Sequence, residues 1–308
     1  MTVTDGLFLI TGATGNTGAP TVKLLRDAGH RVRALVHNID GRSDILKDLG
    51  AEVVAGDLLD FDAVSSAMVG VTAAYFCYPI YPGALLQATA LFAQAASEAG
   101  VRALVNMSQI SARREAKSDS ARQHWLAERL LDRMSMVTTH LRPTFFAEVI
   151  NWYWLRRENE GVLRLPFGDG RHAPIASADQ ANVIAAILQN PDPHDRQIYP
   201  LVGPEELDHY AIAQKVGQTL GIAARYEPVD IPTFAAAMTS QGATDFLVQH
   251  LSSVAQDYQD GIFSGTSNLV EVIGGIKPMT VEQYAAACRD EFRSDGPYAL
   301  RDSMLAIR

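Results

Sequence analysis

A regular alternation of short apolar runs with helical stretches occupies the first half of the chain and restricts its fold more than any other feature. The apolar runs are residues 7–11, 31–36, 52–54, 73–77, 103–107 and 137–141. The helical stretches between them are residues 19–28, 43–49, 63–68, 84–99 and 122–134. Such alternation indicates right-handed βαβ units, and strands that are apolar throughout are typical of a sheet covered by helices on both faces. The sequence therefore predicts an α/β fold with a doubly wound parallel sheet.

After Pro143 the alternation becomes irregular. An aromatic stretch, a Pro-Phe-Gly-Asp-Gly turn and several further helices and strands follow, and no segment rich in Pro, Gly or Ser divides the chain. We predict a nucleotide-binding domain over residues 1–150 and a smaller α+β substrate lobe over residues 151–308. Part of the lobe's chain is expected to return to the main sheet.

The segment Thr-Gly-Ala-Thr-Gly-Asn-Thr-Gly, residues 11–18, comes directly after the first strand and opens the first helix. Glycines let a backbone approach a pyrophosphate closely, and a helix N-terminus offers free N–H groups and a partial positive charge to it. The spacing is Gly-x-x-Gly-x-x-Gly, which differs from the Gly-x-Gly-x-x-Gly of the common dehydrogenase fingerprint. An ordinary glycine turn is the alternative, but three glycines at this junction favour a bound dinucleotide.

The residue that selects between NAD and NADP is expected about 20 residues after the last glycine, at the end of the second strand. His37 and Asn38 stand there, so the Asp or Glu that would bind both ribose hydroxyls is missing from these two positions. Asp40 is near enough to reopen the question, but Asp40 followed by glycine is typical of a turn. Because Arg33 and Arg42 are also near, we predict that NADP(H) is favoured over NAD(H).

Charge and cysteine usage exclude several classes of function. The 308 residues carry 26 Lys and Arg against 35 Asp and Glu, a net charge of −9, which disfavours binding to nucleic acid or to anionic lipid. The two cysteines lie far apart, and the eight histidines show no metal-ligand spacing, so neither a disulfide framework nor a metal site is predicted. The N-terminus lacks the pattern of a signal peptide, and a cytoplasmic location is expected.

Several further segments occur in a characteristic order along the chain. They are Val32-Arg33-Ala34-Leu35-Val36, Gly56-Asp57, Asn106-Met107-Ser108, Leu141-Arg142-Pro143-Thr144-Phe145-Phe146 and Leu201-Val202-Gly203-Pro204-Glu205. Together with the glycine segment they resemble the NmrA-like group of atypical short-chain dehydrogenases. The sequence is most similar to the branch of NAD(P)H quinone oxidoreductases and triphenylmethane reductases, and the resemblance covers about residues 7–292.

The resemblance implies a Rossmann domain with a small C-terminal substrate lobe, and it implies roles for particular residues. The pyrophosphate would be held by Gly12, Thr14, Gly15, Asn16, Thr17 and Gly18. His37 stands where many members carry an arginine for the 2′-phosphate, which weakens the prediction of NADP(H). Asn38, the next residue, is a candidate for the same cofactor contact. The adenine would lie against Asp57 and Leu58, and the ribose and nicotinamide against Cys77, Tyr78 and Ser108. Asp57 could equally be an N-cap or a loop residue.

The Tyr-x-x-x-Lys pair of ordinary short-chain dehydrogenases is missing from the corresponding helix, which reads Ser-Ala-Arg-Gln-His-Trp-Leu-Ala-Glu over residues 120–128. His124 would take the lysine position, and the pattern His124-x-x-x-Glu128 resembles the quinone reductase branch. His124 and Ser108 are the candidate catalytic residues. An unperturbed imidazole can bind ribose or relay a proton at neutral pH, although a packed histidine with no chemical role is the alternative. Ser108 is predicted to form hydrogen bonds rather than act as a nucleophile, because no base lies near it in the sequence.

Two aromatic groups follow the fourth and sixth strands, at the edge of the sheet where ligands bind in doubly wound folds. Tyr78, Tyr81, Phe145 and Phe146 are the candidate walls of the substrate pocket, and a flat apolar substrate would fit between them. Trp152 and Trp154 are predicted to anchor the lobe. The position of His172 in the sequence, near the Pro-Phe-Gly-Asp-Gly turn, suggests that it could also reach the pocket.

Two functions fit these residues. The first is an NAD(P)H-dependent oxidoreductase that passes hydride to a flat, electron-poor small molecule such as a quinone, a conjugated carbonyl or an imine-like cation. The alternative is a non-enzymatic dinucleotide sensor, as in the regulatory members of the group, and only this alternative requires a protein partner. A homodimer is compatible with both.

Overall fold

The apolar strands of the first half form one parallel sheet in the computed structural model, which describes residues 6–80, 84–157 and 159–293. In chain order the strands are β1 (Leu7–Ile10), β2 (Arg31–Val36), β3 (Glu52–Ala55), β4 (Val71–Phe76), β5 (Ala103–Met107), β6 (Val137–Pro143), β7 (Trp154–Arg157), β8 (Glu160–Leu163), β9 (Arg171–His172), β10 (Ile198–Leu201), β11 (Leu207–Asp208) and β12 (Ala223–Tyr226). The α-helices are α1 (Gly18–Asp27), α2 (Gly41–Asp48), α3 (Phe61–Met68), α4 (Ala84–Glu98), α5 (Asp119–Leu131), α6 (Glu148–Trp152), α7 (Ser177–Gln189), α8 (His209–Leu220), α9 (Ile231–Ser240), α10 (Asp245–Gln259), α11 (Leu269–Gly274) and α12 (Val281–Ala287). Two 3-10 helices cover Asp192–His194 and Arg289–Arg293.

Seven strands make up the main sheet, in the order β10-β6-β5-β4-β1-β2-β3. All neighbouring pairs are parallel. The strand order runs outward in both directions from β1 and β4, which is the arrangement of a doubly wound sheet with ligands at the carboxyl ends of its strands. The predicted fold class is therefore confirmed.

Both faces of the sheet are buried because its strands carry apolar side chains at consecutive positions. Phe8 and Ile10 of β1 lie in one core with residues of α1 and α7, and Leu7 and Leu9 lie in a second core with residues of α3 and α4. All four side chains are at most 4% exposed. Complete burial of side chains of this size contributes roughly 1.5–3 kcal/mol each.

Helix starts differ from the predicted ones where a polar residue caps the helix. The stretch predicted to begin at residue 122 begins at Asp119, because the Ser118 side chain accepts a hydrogen bond from the backbone N–H of Ala121 at 3.0 Å. Similarly, α2 begins at Gly41 because Asp40 accepts from the N–H groups of Arg42 and Ser43. An N-cap oxygen satisfies donors that the first helical turn leaves free, so the cap fixes the boundary.

The chain after β6 builds two small sheets and also returns to the large one. The small sheets have the orders β12-β8-β7 and β11-β9, while β10 pairs with β6 at the edge of the main sheet. Trp154 is 2% exposed, and its ring meets Phe292 edge-on at a centroid distance of 5.4 Å. Gly161 permits this packing, since a Cβ there would lie 1.8 Å from the Trp154 ring. Trp154 thus belongs to the lobe core, and Trp152 packs against that core. The domain boundary at residue 150 stays a prediction.

Among the helices of the described residues, none combines the length and the hydropathy needed to cross a membrane.

Candidate dinucleotide and substrate site

The glycine segment forms a tight turn between β1 and α1. Gly12 has a φ of +57°, and its carbonyl accepts a hydrogen bond from the N–H of Gly15 at 2.9 Å. A Cβ on Gly18 would lie 2.2 Å from the Gly12 carbonyl oxygen, so only glycine allows this approach. Helix α1 has no acidic residue in its first turn and no side-chain cap, so no side chain of that turn offsets the partial positive charge of its N-terminus. This is the local geometry that an anionic pyrophosphate requires.

The turn is fixed to the end of β4 by two threonines. The Thr11 hydroxyl donates to the Cys77 carbonyl at 3.0 Å and accepts from the Cys77 N–H at 2.8 Å. The Thr17 hydroxyl lies 2.8 Å from the hydroxyl of Tyr75, a fully buried residue whose pKa is raised by that burial. Cys77 stands opposite Gly12, with its Cβ 3.6 Å from the place where a Gly12 Cβ would be. The structure therefore brings the predicted cofactor residues Gly12, Thr17 and Cys77 together.

The region predicted to select the cofactor lies at the end of β2. His37 and Asn38 are exposed there. Asp40 caps α2, as the turn prediction suggested, and it also forms an ion pair with Arg42 at 2.6 Å that lowers the pKa of its carboxyl group. Arg33 points to the opposite edge of the sheet, where it donates to the carbonyls of residues 67 and 69 at the end of α3, 2.8 Å away in each case. Of the two arginines, only Arg42 is therefore near the predicted ribose.

Asp57 follows β3 and is exposed. Its carboxylate accepts a hydrogen bond from the N–H of Leu59 at 2.8 Å, which is a loop turn, and the N-cap of α3 is Asp60 instead. Leu58 between them is half-buried. The contact of Asp57 and Leu58 with adenine stays a prediction.

Ser108 follows β5 and lies in a buried network that was not predicted. Its hydroxyl donates to the Glu128 carboxylate at 2.6 Å, and the same carboxylate accepts from Arg142 at 2.8 and 2.5 Å. Ser108 is 4% exposed and Glu128 is fully buried. No carboxylate lies near Ser108 in the sequence, but the packing of α5 against β5 and β6 provides one. The only sequence signal was the spacing of Glu128 from His124, which places both on one face of α5.

His124 is 8% exposed on the inward face of α5. Burial, together with the neighbouring His250 and the positive charge of Arg142, lowers the pKa of its imidazole to about 3. The ring is therefore neutral at neutral pH. As a neutral group His124 can form hydrogen bonds, but it holds no proton to deliver as an imidazolium ion.

The lobe helix α10 is joined to the segment between β5 and α5 by contacts that the sequence did not predict. The Asp257 carboxylate binds Arg113 through two bonds of 2.7 and 2.5 Å, and it is only 3% exposed. His250 lies 2.7 Å from the Ser118 hydroxyl. These partners are separated by 144 and 132 residues, so no local pattern could have indicated them. They bring His250 close to His124, at the junction of the lobe and the main sheet.

The aromatic residues after β6 are arranged around a small apolar cavity. Phe145 stacks on Phe263 with centroids 4.8 Å apart and an interplanar angle of 11°, and it contacts Phe167 at 4.9 Å. The cavity has a volume of about 30 Å³ and is lined by Phe145, Val149, Tyr153, Leu165, Phe167, Phe234 and Leu251. Phe146 is half-buried and bridges to Ile175. The structure thus places Phe145, just after the end of β6, at an apolar cavity in the core of the lobe.

The remaining residues that were predicted to line the pocket do not line this cavity or lie outside the described residues. Tyr78 is half-buried after β4, and Tyr81 lies outside the described residues. His172 is 1% exposed, with its Nδ1 2.5 Å from the Tyr258 hydroxyl and its ring stacked on His209. Burial lowers the pKa of His172 well below its usual value. His172 is therefore buried in the lobe, where its ring meets Phe145 edge-on with centroids 6.2 Å apart, and its place at the pocket stays a prediction.

Within residues 6–80, 84–157 and 159–293, no group of three or more His, Cys, Asp or Glu side chains is arranged to hold a metal ion.

Comparison with known proteins relates this geometry to other chains. The sequence profile of the NmrA-like family matches residues 4–285. An NAD(P)H azoreductase from Xenophilus azovorans is 26% identical over 283 residues, which cover 91% of this chain and 97% of that protein. An NADPH-dependent quinone oxidoreductase from Escherichia coli, solved with NADPH, has a TM-score of 0.77 at 23% identity over 91% of this chain and 99% of that one. NmrA, a negative transcriptional regulator solved with NAD, has a TM-score of 0.80 at 14% identity over 96% of this chain and 99% of that one. The two structures share the Rossmann-like fold with this chain.

Proposed function

Because this chain belongs to the NmrA-like family, we propose that it is an NAD(P)H-dependent oxidoreductase that passes hydride to a flat, electron-poor acceptor. The observation that carries the proposal is the open N-terminus of α1, which lies at the same edge of the sheet as Ser108. The adjacent strands β1, β4, β5 and β6 all end there, so one extended dinucleotide could reach from the glycine turn to Ser108. The reductases to which the chain is similar over most of its length support the same function.

The protein's own residues would bind and orient the reactants. The nicotinamide supplies the hydride when the cofactor is bound. The turn at Gly12, Gly15 and Gly18 would hold the pyrophosphate, and Ser108 and His124 would form hydrogen bonds at the nicotinamide end. Neither residue offers a proton readily, since the Ser108 hydroxyl donates to Glu128 and His124 is neutral. The acceptor must therefore be reactive enough to take hydride without strong acid catalysis, as quinones are.

We expect neutral acceptors to react faster than cationic ones. Burial is the largest cause of the lowered pKa of His124, and Arg142 acts in the same direction, so these buried surroundings disfavour a positive charge beside that ring. The buried carboxylates nearby, Glu128 and Asp257, are each paired with an arginine and leave little negative charge for a cation. With NADPH as donor, kcat/KM for a neutral quinone should exceed that for a cationic triphenylmethane dye by about tenfold or more, since 1.4 kcal/mol corresponds to a factor of ten. Steady-state rates of NADPH oxidation test this, and a clear preference for the dye would contradict it.

We further propose that NADP(H) is preferred over NAD(H). The Asp40 carboxylate is occupied by the cap of α2 and by Arg42, so it is not free to bind ribose hydroxyls. The Arg42 side chain is 68% exposed and stands at the N-terminus of α2, where it could pair with a 2′-phosphate.

Arg42→Ala should therefore weaken NADPH binding about fivefold to tenfold and change NADH binding less than about twofold, as expected for the loss of one exposed charge-assisted contact. Calorimetric titration with both cofactors measures these affinities. Lys47→Ala is the matched control, because it removes an exposed cation from the same helix at a position bound to Asp44. An equal loss of NADPH and NADH affinity in Arg42→Ala would refute the assignment.

A further inference from the structure

The hydroxyl of Ser108 has one hydrogen to donate, and the structure fixes where that hydrogen goes. Ser108 Oγ lies 2.6 Å from Oε1 of Glu128. Nε and Nη2 of Arg142 donate to Oε1 and Oε2 of the same carboxylate. A carboxylate held by a guanidinium in this way only accepts hydrogen bonds, so Ser108 must be the donor. Its oxygen is left with lone pairs alone for any other partner.

Burial makes this arrangement rigid. The Glu128 side chain is fully buried, and Arg142 is 21% exposed. A buried carboxylate is costly unless it is paired and hydrogen-bonded, and here Arg142 and Ser108 satisfy it from two sides. Rotating the Ser108 hydroxyl away would leave the buried Glu128 carboxylate with one hydrogen bond fewer. The hydrogen of Ser108 is therefore expected to stay on Glu128 when a ligand binds.

We infer that Glu128 is a positioning residue, which takes the Ser108 hydrogen and so presents the Ser108 oxygen to the nicotinamide end of a bound dinucleotide as a hydrogen-bond acceptor. This inference rests on the proposed function, because it assumes that a dinucleotide reaches Ser108. Glu128 acts on the cofactor only through Ser108. Its substitution should therefore matter only while Ser108 is present.

A double-mutant cycle on NADPH binding tests the inference. Oε1 of Glu128 accepts from both Ser108 and Nε of Arg142, and Oε2 accepts from Nη2 of Arg142. In Glu128→Gln an NH2 group replaces one of these two oxygens, so the side chain can no longer accept all three hydrogen bonds and no longer fixes Ser108 as a donor. We expect Glu128→Gln and Ser108→Ala each to raise the Kd for NADPH about tenfold, the effect of one hydrogen bond at about 1.4 kcal/mol. The double variant should also show about a tenfold effect, because both changes remove the same contact.

The control is Asp132→Asn, which neutralises another carboxylate at the end of the same helix, bound to His140 at 3.0 Å and not to Ser108. It should change the Kd less than about twofold in either background. Independent effects that multiply to about a hundredfold in the double variant, or no effect of Glu128→Gln alone, would overturn the inference. If Glu128→Gln does not fold, the double variant Glu128→Gln/Arg142→Gln replaces it, because this variant leaves no unpaired arginine charge in the core. Its Kd for NADPH is then measured with and without Ser108→Ala, and a non-additive effect again supports the inference.

The result can be separated from that of the proposed function, because binding requires no acceptor. NADPH binding with a non-additive cycle but no turnover would leave the inference standing and reject the reductase. Turnover together with independent, multiplying effects in the double-mutant cycle would support the reductase and reject the inference about Glu128. A wild-type protein that does not bind NADPH would contradict both.

Discussion

Gly15→Val is expected to raise the Kd for NADPH at least about a hundredfold, equivalent to about 2.8 kcal/mol. Gly15 is exposed in the turn that opens onto α1, and even a Cβ there would lie only 3.1 Å from the Gly12 carbonyl oxygen. A branched side chain would project into the space through which a pyrophosphate must approach the helix N-terminus. Fluorescence titration with NADPH measures the effect.

The variant should remain folded, because the φ of Gly15 lies outside the left-handed region and its surroundings are open to solvent. Ala28→Val serves as the control, since it adds a branched side chain at an exposed position at the other end of α1. It should bind NADPH within about twofold of the wild type. If Gly15→Val retained wild-type affinity and stability, the glycine turn would not be the pyrophosphate site.

Acid is expected to unfold the protein at an unusually mild pH. Burial lowers the pKa of His124 and His209 to about 3 and that of His250 to about 4. In the unfolded chain these rings regain a pKa near 6.5, so unfolding takes up protons at every pH between these values. Stability is therefore complete above about pH 6.5 and falls as the pH decreases toward the folded-state values.

At pH 5 each of these three histidines should cost about 2 kcal/mol, from 1.36 kcal/mol for each pH unit below 6.5. Their sum of about 6 kcal/mol is comparable with the roughly 5–15 kcal/mol that stabilises a typical protein. Urea unfolding followed between pH 7.5 and pH 5 measures the loss.

His209→Phe separates this cause from general acid sensitivity. The phenyl ring can still pack against Phe167 and His172, but it takes up no proton. The variant should lose about 2 kcal/mol less than the wild type over the same pH range. Identical pH dependence in His209→Phe and the wild type would show that the buried ring contributes nothing to it.

The features predicted from the sequence are those carried by local patterns. The parallel sheet follows from apolar runs of strand length, and the bounds of β2 and β5 agree with the prediction. The glycine turn follows from three glycines at one strand-helix junction, and the profile match confirms the resemblance to the NmrA-like family. Helix boundaries were shifted by two or three residues where Asp40 and Ser118 form caps, because capping depends on side-chain geometry that spacing alone does not reveal.

The features missed from the sequence depend on contacts between distant segments. Ser108 gains its carboxylate partner from a helix 20 residues later, and Arg142 joins them from the next strand. His250 and Asp257 come from the lobe, more than 130 residues after their partners. The lowered pKa of His124 follows from burial by these same segments, so the sequence could name the residue but not its charge. The individual roles of the predicted site residues stay predictions until binding and turnover are measured.

A single-turnover experiment tests the central claim most directly. The protein is loaded with NADPH, mixed rapidly with a neutral quinone, and followed by the absorbance of the reduced nicotinamide. We predict a first-order loss of that absorbance whose rate saturates with quinone concentration, because hydride would pass within a complex of both reactants. Tight NADPH binding with unchanged absorbance across a panel of quinones and azo compounds would contradict the reductase and favour a dinucleotide sensor.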